Sequence, residues 1–274
     1  MVFIFGDDTA TWFVLGCLSA AIWIYLLFFR GAFWHANQRL PTGLAQPDFW
    51  PDIAVVIPAR NEQGMIGRTL NSLQNQEYPG ELFIIVVNDN SEDCTETEIL
   101  DNVDAQTQLL SGVLLNEGWT GKLWALQQGV EMISRLGLSP KFFLFCDADV
   151  EHPADSIRKL VLHAEHGKFE LVSLMVRLSC RTAWEILLIP AYIFFFQKLY
   201  PFPWINDPAR DTAGAAGGCI LLRAATLFKA GGLEKIRDQV IDDCALARLI
   251  KPHGPVWIGL TQEVICHRTY TTLK

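Results

Sequence analysis

Three short runs without a polar side chain do most to limit what this 274-residue chain can become: IAVVIP (53–58), LFIIVV (82–87) and FFLFC (142–146). None alternates apolar with polar, so each fits a strand buried on both faces, as in a sheet covered by helices. Helical spacing fills the gaps between them. Within 62–76, Ile66, Leu70 and Leu73 fall on one helix face, and Tyr78-Pro79-Gly80 ends that helix. After the second run comes Asn88-Asp89-Asn90-Ser91, with Asp93 and Glu96 spaced as a capping pair for the next helix. Strand, helix, strand, helix is the order of an α/β chain whose parallel sheet is joined by helical crossovers.

The pattern continues along the chain. Residues 107–115 read as a third strand closing at Asn116-Glu117-Gly118. A helix then opens at Trp119-Thr120-Gly121-Lys122 and runs to Arg135, with Leu123, Leu126, Val130 and Ile133 on one face. Helices are expected over 153–166 and 241–250, and strands over 170–178 and 256–267. A small-residue loop, AGAAGG, precedes the short strand CILLR. There is no internal repeat.

The run at 142–146 ends in Asp147-Ala148-Asp149. Carboxylates at the end of a buried strand are costly unless something pairs with them. Two readings follow from the residues alone. The acids cap the turn into the next helix, or both turn toward one hard cation whose shell is completed by phosphate oxygens.

Charge and cysteine usage narrow the class. A net charge of −8 and the lack of a basic run argue against nucleic acid as a partner. Seven cysteines without a CxxC pair, and six histidines without ligand spacing, fit reduced thiols in a cytosolic compartment rather than a disulfide framework or a zinc site.

Membrane contact is expected at two places. ATWFVLGCLSAAIWIYLLFF (10–29) has no charge, and twenty helical residues span about 30 Å. MVFIFGDD precedes it in place of a basic n-region, so an anchor fits better than a secretory signal. Asp7 and Asp8 lie before the span and Arg30, His35 and Arg39 after it, which puts the downstream domain on the cytoplasmic side of the cell (inner) membrane. The second place is WEILLIPAYIFFFQKLYPFPWI (184–205), interrupted by Glu185, Lys198 and three prolines and rich in aromatics. It reads as an interfacial segment, helical to about Tyr200, or as a helix packed on the core. The expected organisation is an anchor (1–30), a Pro-rich linker (31–52) and a catalytic domain (53–274) containing that segment. The end at Thr272-Leu273-Lys274 reads as that of a truncated or short form.

Six motifs in order, VVIPARNE (55–62), VVNDNSED (86–93), WTGKLWAL (119–126), DAD (147–149), AAGGCILLR (215–223) and IDDCALAR (241–248), resemble the family-2 inverting glycosyltransferases of GT-A fold. Within that family the chain is most similar to membrane-bound members associated with hopanoid biosynthesis. The resemblance implies a Rossmann-like, mostly parallel sheet flanked by helices. It places Pro58, Ala59, Arg60 and Glu62 around a nucleotide diphosphate, Asp89 with Asn88 at the base or ribose, and Lys122 near the sugar or diphosphate. Many relatives carry two acids where this chain has Asn88-Asp89, which bears on the nucleotide. Asp149 is expected to bind Mg²⁺ or Mn²⁺, and Asp147 to join it or contact the ribose or sugar. Asp243 is expected as the base, with Asp242 as its paired acid, and Gly217, Gly218 and Cys219 on the acceptor side. In CHRTYTTL (266–273), Arg268 stands where processive relatives have the arginine of QxxRW, without the tryptophan, and is expected on the diphosphate; His267 is placed near the metal or in packing. The implied donor is a UDP-sugar and the implied acceptor a lipid of hopanoid or polyprenyl type. A processive polysaccharide synthase, or a non-catalytic nucleotide-sugar-binding membrane subunit, are the alternatives. The missing tryptophan argues against the first and retention of Asp147, Asp149 and Asp243 against the second.

Overall fold

The computed structural model describes residues 9–270, so Asp7, Asp8 and Thr272-Leu273-Lys274 lie outside the described residues. The first helix, α1 (Thr9–Phe28), buries none of its residues and is long and apolar enough to cross a membrane. Its C-terminal end is tied to the rest of the chain. The Arg30 guanidinium donates to the carbonyls of Lys198 and Leu199 and lies 4.9 Å over the Trp204 ring. Phe33 is buried against Phe194. The segment expected as a linker runs along the domain: Leu40 and Trp50 pack on the core, and the Gln38 carbonyl accepts from the Leu260 amide.

The three apolar runs form β1 (Ile53–Ala59), β2 (Leu82–Asn88) and β4 (Phe142–Cys146), with β3 (Thr107–Ser111) between them in sequence. Along β1, Ala54 and Val56 enter one hydrophobic core, and Ile53, Val55 and Ile57 enter the other. Alternate side chains of a strand point to opposite faces, so the sheet is buried on both sides and no polar residue could alternate here. The crossovers are α2 (Ile66–Gln74), α3 (Thr95–Asp101) and α4 (Gly121–Arg135). The remaining elements are β5 (Val150–Glu151), α5 (Ser156–His166), β6 (Leu171–Arg177), α6 (Ala183–Leu199), α7 (Phe202–Ile205), β7 (Cys219–Arg223), α8 (Ala224–Lys229), α9 (Asp242–Ile250) and β8 (Val256–Cys266).

Strand order is β3-β2-β1-β4-β7-β6-β8-β5. Strands β3, β2, β1 and β4 are mutually parallel, as their crossovers require. The other half is mixed. β7 runs antiparallel to both β4 and β6, and the two-residue β5, which no sequence pattern marked, pairs antiparallel with β8. β7 is reversed because AGAAGG brings the chain back to the sheet at the carboxyl end of β4, where the Asp147 amide meets the Gly218 carbonyl. Such a strand needs only to turn, not to cross over.

One local expectation is corrected. Asp93 and Glu96 form no capping pair. Asp93 accepts from the Thr95 amide and hydroxyl, while Glu96 accepts from the Asn88 side chain, which draws it out of capping reach. The segment expected to be helical to about Tyr200 is so: α6 is one continuous helix through Pro190, begun by a capping box between Thr182 and Glu185. It leaves Trp184, Ile186, Leu187, Leu188, Phe195 and Leu199 exposed.

Candidate active site

The order of strands reverses at β1, with β2 on one side and β4 on the other. In open α/β sheets, ligands bind in the crevice at the carboxyl ends beside such a switch point. A cavity of about 530 Å³ lies there, within the usual size of small-molecule sites. From the end of β1 it receives Pro58, Ala59, Arg60 and Glu62; from the end of β2, Asp89; from the end of β4, Asp147 and Asp149. Lys122 enters from the first turn of α4, Gly217 and Gly218 from the turn before β7, Asp243 from the first turn of α9, and Arg268 from beyond β8. Residues separated by more than 200 positions thus share one pocket because each follows an element that ends on the same edge.

Three expected residues do not line the cavity. Asp242 instead lines a smaller adjoining pocket with Lys122 and Asp243. Asn88 is buried, and its amide bridges Glu96 and the Ser91 backbone, so it shapes the turn that presents Asp89. The Cys219 side chain is fully buried, opposite Cys146 in the β4–β7 ladder. Strand alternation sends it into the core while Gly217 and Gly218 line the opening.

The charged groups form two linked sets. In the first, Lys122 Nζ lies 2.6 Å from Asp147 Oδ1 and 3.7 Å from Asp242 Oδ2. Burial pushes the Asp147 carboxyl above its usual range, with Lys122 working against that shift. Burial alone would lower the Lys122 ammonium; the carboxylates of Asp147 and Asp242 overcome it and raise the pKa. In the second set, the Arg268 guanidinium donates to Asp149 Oδ2 at 2.6 Å and to Glu62 Oε1 at 2.5 Å. Burial raises Glu62 despite that partner.

Asp243 is held differently. Its Oδ2 accepts the Gly217 amide at 2.9 Å and its Oδ1 the Cys244 amide at 2.6 Å, so its orientation is fixed by backbone alone. Gly217 allows this approach: a Cβ there would stand 3.1 Å from Lys122 Nζ and 3.5 Å from Asp243 Oδ2. Burial first, and then the neighbouring Asp242 charge, raises the Asp243 carboxyl above its ordinary value. A fixed, partly buried carboxylate with a raised pKa is suited to accept a proton.

Asp147 and Asp149 open into the cavity from a single turn and offer only oxygen donors. That set suits a hard divalent cation, which takes one or two protein carboxylates and fills its shell with substrate phosphates and water. Among the described residues no cluster of three or more His, Cys, Asp or Glu forms a protein-only metal cage. The His267 ring is engaged elsewhere. Nδ1 lies 2.9 Å from Arg68 Nη1 and Nε2 lies 2.5 Å from Glu151 Oε2, while its backbone amide donates to the Asp149 carbonyl. Since arginine can only donate, Nδ1 accepts and Nε2–H points to Glu151.

The Asp147–Asp149 turn is clamped by α2 and the residues just after it. Thr69 donates its hydroxyl to the Ala148 carbonyl, Ser72 accepts the His152 amide, and Gln76 binds the Pro153 carbonyl and the Ile157 amide. Buried His152 bridges Cys146 and Ser156, and burial lowers it to about 4, so it is a neutral strut. Met175, Tyr192 and Tyr270 complete an apolar wall of the cavity.

The chain belongs to glycosyl transferase family 2, whose family model matches residues 54–227, more than half of its length. Among curated proteins it is 39% identical over 82 residues to the probable glycosyltransferase YdaM of Bacillus subtilis, covering 27% of this chain and 20% of that protein. It is 32% identical over 124 residues to the beta-monoglucosyldiacylglycerol synthase of Synechocystis, covering 44% of this chain and 25% of that one. The matched segments thus span a quarter or less of either relative. Among solved structures, the fold matches the mannosyltransferase PcManGT from Pyrobaculum calidifontis, determined with GDP-Man and Mn²⁺. The TM-score is 0.64 at 20% identity, covering 91% of this chain and 66% of that one. The mixed, curled α/β sheet is that of GT-A glycosyltransferases.

Proposed function

We propose that this chain is an inverting glycosyltransferase that moves one sugar from a nucleoside diphosphate donor to a lipid acceptor at a membrane. The observation that carries the reading is the meeting of two chemistries in one cavity. Asp147, Asp149, Arg60 and Arg268 lie at the carboxyl ends of the strands, and a backbone-fixed Asp243 stands across from them. Asp243 takes the proton of the acceptor hydroxyl as that oxygen attacks the anomeric carbon. The carbon–oxygen bond to the diphosphate breaks in the same displacement, which inverts the configuration. Asp242, paired with Lys122, keeps a negative charge beside Asp243 and holds its affinity for that proton up. Lys122 and Arg268 bind and orient the departing diphosphate. Mg²⁺ or Mn²⁺ held by Asp149 with Asp147 would neutralise charge that builds on the diphosphate, and the PcManGT complex with Mn²⁺ supports metal use within this fold.

The membrane part rests on α1 and α6. In this reading α1 is the anchor, and Arg30, His35 and Arg39 after it support a catalytic domain on the cytoplasmic side of the inner membrane. α6 carries exposed apolar side chains and also brings Tyr192 into the cavity that Asp243 lines, which supports an acceptor hydroxyl presented from the interface. The diacylglycerol-lipid relative supports a lipid acceptor; a hopanoid or polyprenyl acceptor and a UDP-linked donor are what the family resemblance adds. The test is a panel of labelled UDP- and GDP-sugars incubated with the full chain and membrane lipid extract. Label entering the organic phase with a divalent ion, and not in Asp149→Ala, is expected. No transfer from any donor, or undiminished transfer in Asp149→Ala, overturns the reading.

A further inference from the structure

Among the described residues, Arg268 is the one cation that bridges the β1 and β4 sides of the donor pocket, and its placement is built by several independent contacts. The His267 amide donates to the Asp149 carbonyl, and the His267 ring is pinned between Arg68 and Glu151. Two residues on, the Tyr270 amide donates to Glu185 Oε1 at 2.6 Å, and the Tyr270 carbonyl accepts the Thr182 hydroxyl at the start of α6. The strap 267–270 is therefore fixed on both sides of Arg268. From that fixed backbone its guanidinium reaches the carboxylates of Asp149 and Glu62.

We propose that Arg268 is an internal cation that closes the divalent-ion site, so that metal binds tightly only once a nucleoside diphosphate has drawn the guanidinium away. This rests on reading Asp147 and Asp149 as the metal's protein ligands. A guanidinium on Asp149 Oδ2 uses the same lone pairs a cation would take and adds like-charge repulsion beside them. Diphosphate is a stronger partner for arginine than a single carboxylate oxygen, because it offers bidentate, doubly charged oxygens. Transfer of Arg268 from Asp149 to the diphosphate opens the carboxylate and adds phosphate ligands in one move. Metal and donor then bind with positive coupling, and each raises the other's affinity by the same factor. Glu62 holds the second arm of the guanidinium, which keeps Arg268 within reach of the diphosphate after Asp149 is released. Such ordering keeps the carboxylate pair from sequestering metal where no donor is present.

The experiment is Mn²⁺ binding followed by the electron paramagnetic resonance of the free ion, on the full chain in detergent, with and without UDP or GDP and with nucleotide-only controls. In the wild type, Mn²⁺ alone is expected to bind weakly and nucleotide to strengthen it. In Arg268→Gln, Mn²⁺ alone should bind about tenfold tighter than in the wild type, the equivalent of one charge-assisted hydrogen bond, and the nucleotide dependence should shrink. Glu62→Gln leaves Asp149 as the only carboxylate partner of Arg268, so Mn²⁺ alone should bind no tighter than in the wild type. Equal Mn²⁺ affinity in the wild type and Arg268→Gln without nucleotide, or tightening in Glu62→Gln as large as in Arg268→Gln, overturns the gate while leaving the metal reading standing. Absence of Mn²⁺ binding in every protein, with or without nucleotide, overturns both.

Discussion

Replacing Asp243 by asparagine separates the chemistry of the proposed base from its architecture. The two carboxylate oxygens each accept a backbone amide, from Gly217 at 2.9 Å and from Cys244 at 2.6 Å. Asparagine offers one oxygen, so its NH₂ group must face one of those N–H donors. A lost hydrogen bond to a charged acceptor costs about 1.5–3 kcal/mol. Burial already disfavours the ionised carboxylate, as its raised pKa shows, and neutralising it returns part of that cost. A net loss of about 1–2 kcal/mol is left, which for a chain of this size lowers Tm by about 2–8 °C. Catalysis should suffer far more, because removing a general base costs about 10²–10⁴ in rate. The assay pairs differential scanning fluorimetry with label transfer from the nucleotide sugar to lipid, and with calorimetric binding of the nucleoside diphosphate. A folded variant that binds the nucleotide normally and transfers at less than about a hundredth of the wild-type rate is expected. Transfer within a few-fold of wild type would refute Asp243 as the base, and a normal Tm would refute the hydrogen-bond accounting.

Other expectations follow from the same contacts. The acid limb of the kcat–pH profile should report a base whose pKa lies above the ordinary carboxylate value, with rate rising as pH rises and Asp243 ionises. Asp242→Asn removes the neighbouring charge that raises it, so the limb should move to lower pH; a limb that stays put contradicts the coupling. Glu62, Asp147 and Asp243 all have raised pKa values, so the folded chain binds protons more tightly than the unfolded one. Stability should therefore fall as pH rises from about 4 through the raised values, and a Tm that climbs over that range would show that other groups dominate. Gly129→Ala in α4 would set a Cβ 2.3 Å from Val56 Cγ1. Overpacking of about 1–3 kcal/mol should exceed the gain in helix propensity of about 1 kcal/mol. Adding Val56→Ala should restore Tm relative to the single variant, and an unchanged Tm in Gly129→Ala would show that α4 can lift off β1 freely. Deleting residues 1–30 should leave part of the protein on membranes through α6 in a flotation assay; a wholly soluble product counts against an interfacial α6.

Much of the fold was legible because its signals are local. The runs at 53–58, 82–87 and 142–146 are apolar throughout since β1, β2 and β4 are covered on both faces, and their helices show 3.6-residue spacing for the same reason. The half beyond β4 was less readable. β5 is two residues long and owes its existence to pairing with β8, and the reversed direction of β7 depends on where a glycine loop re-enters the sheet. The ends of the strands exposed the site residues, since an acid or arginine after an all-apolar strand has little else to do. Cys219 and Asn88 broke that rule, the first because alternation turned it into the core and the second because Glu96 and Ser91 claimed its amide. The clamp by Thr69, Ser72 and Gln76 gave no signal beyond polar residues at helical spacing, which also fits a solvated face. The Arg268 bridge joins positions separated by 206 residues, and no local pattern reveals such a partner.

The most direct test of a single displacement driven by Asp243 is the anomeric configuration of the product. With a donor whose sugar is α-linked to the diphosphate, proton coupling constants at the anomeric carbon of the purified glycolipid should report a β linkage. An α-linked product would contradict the account.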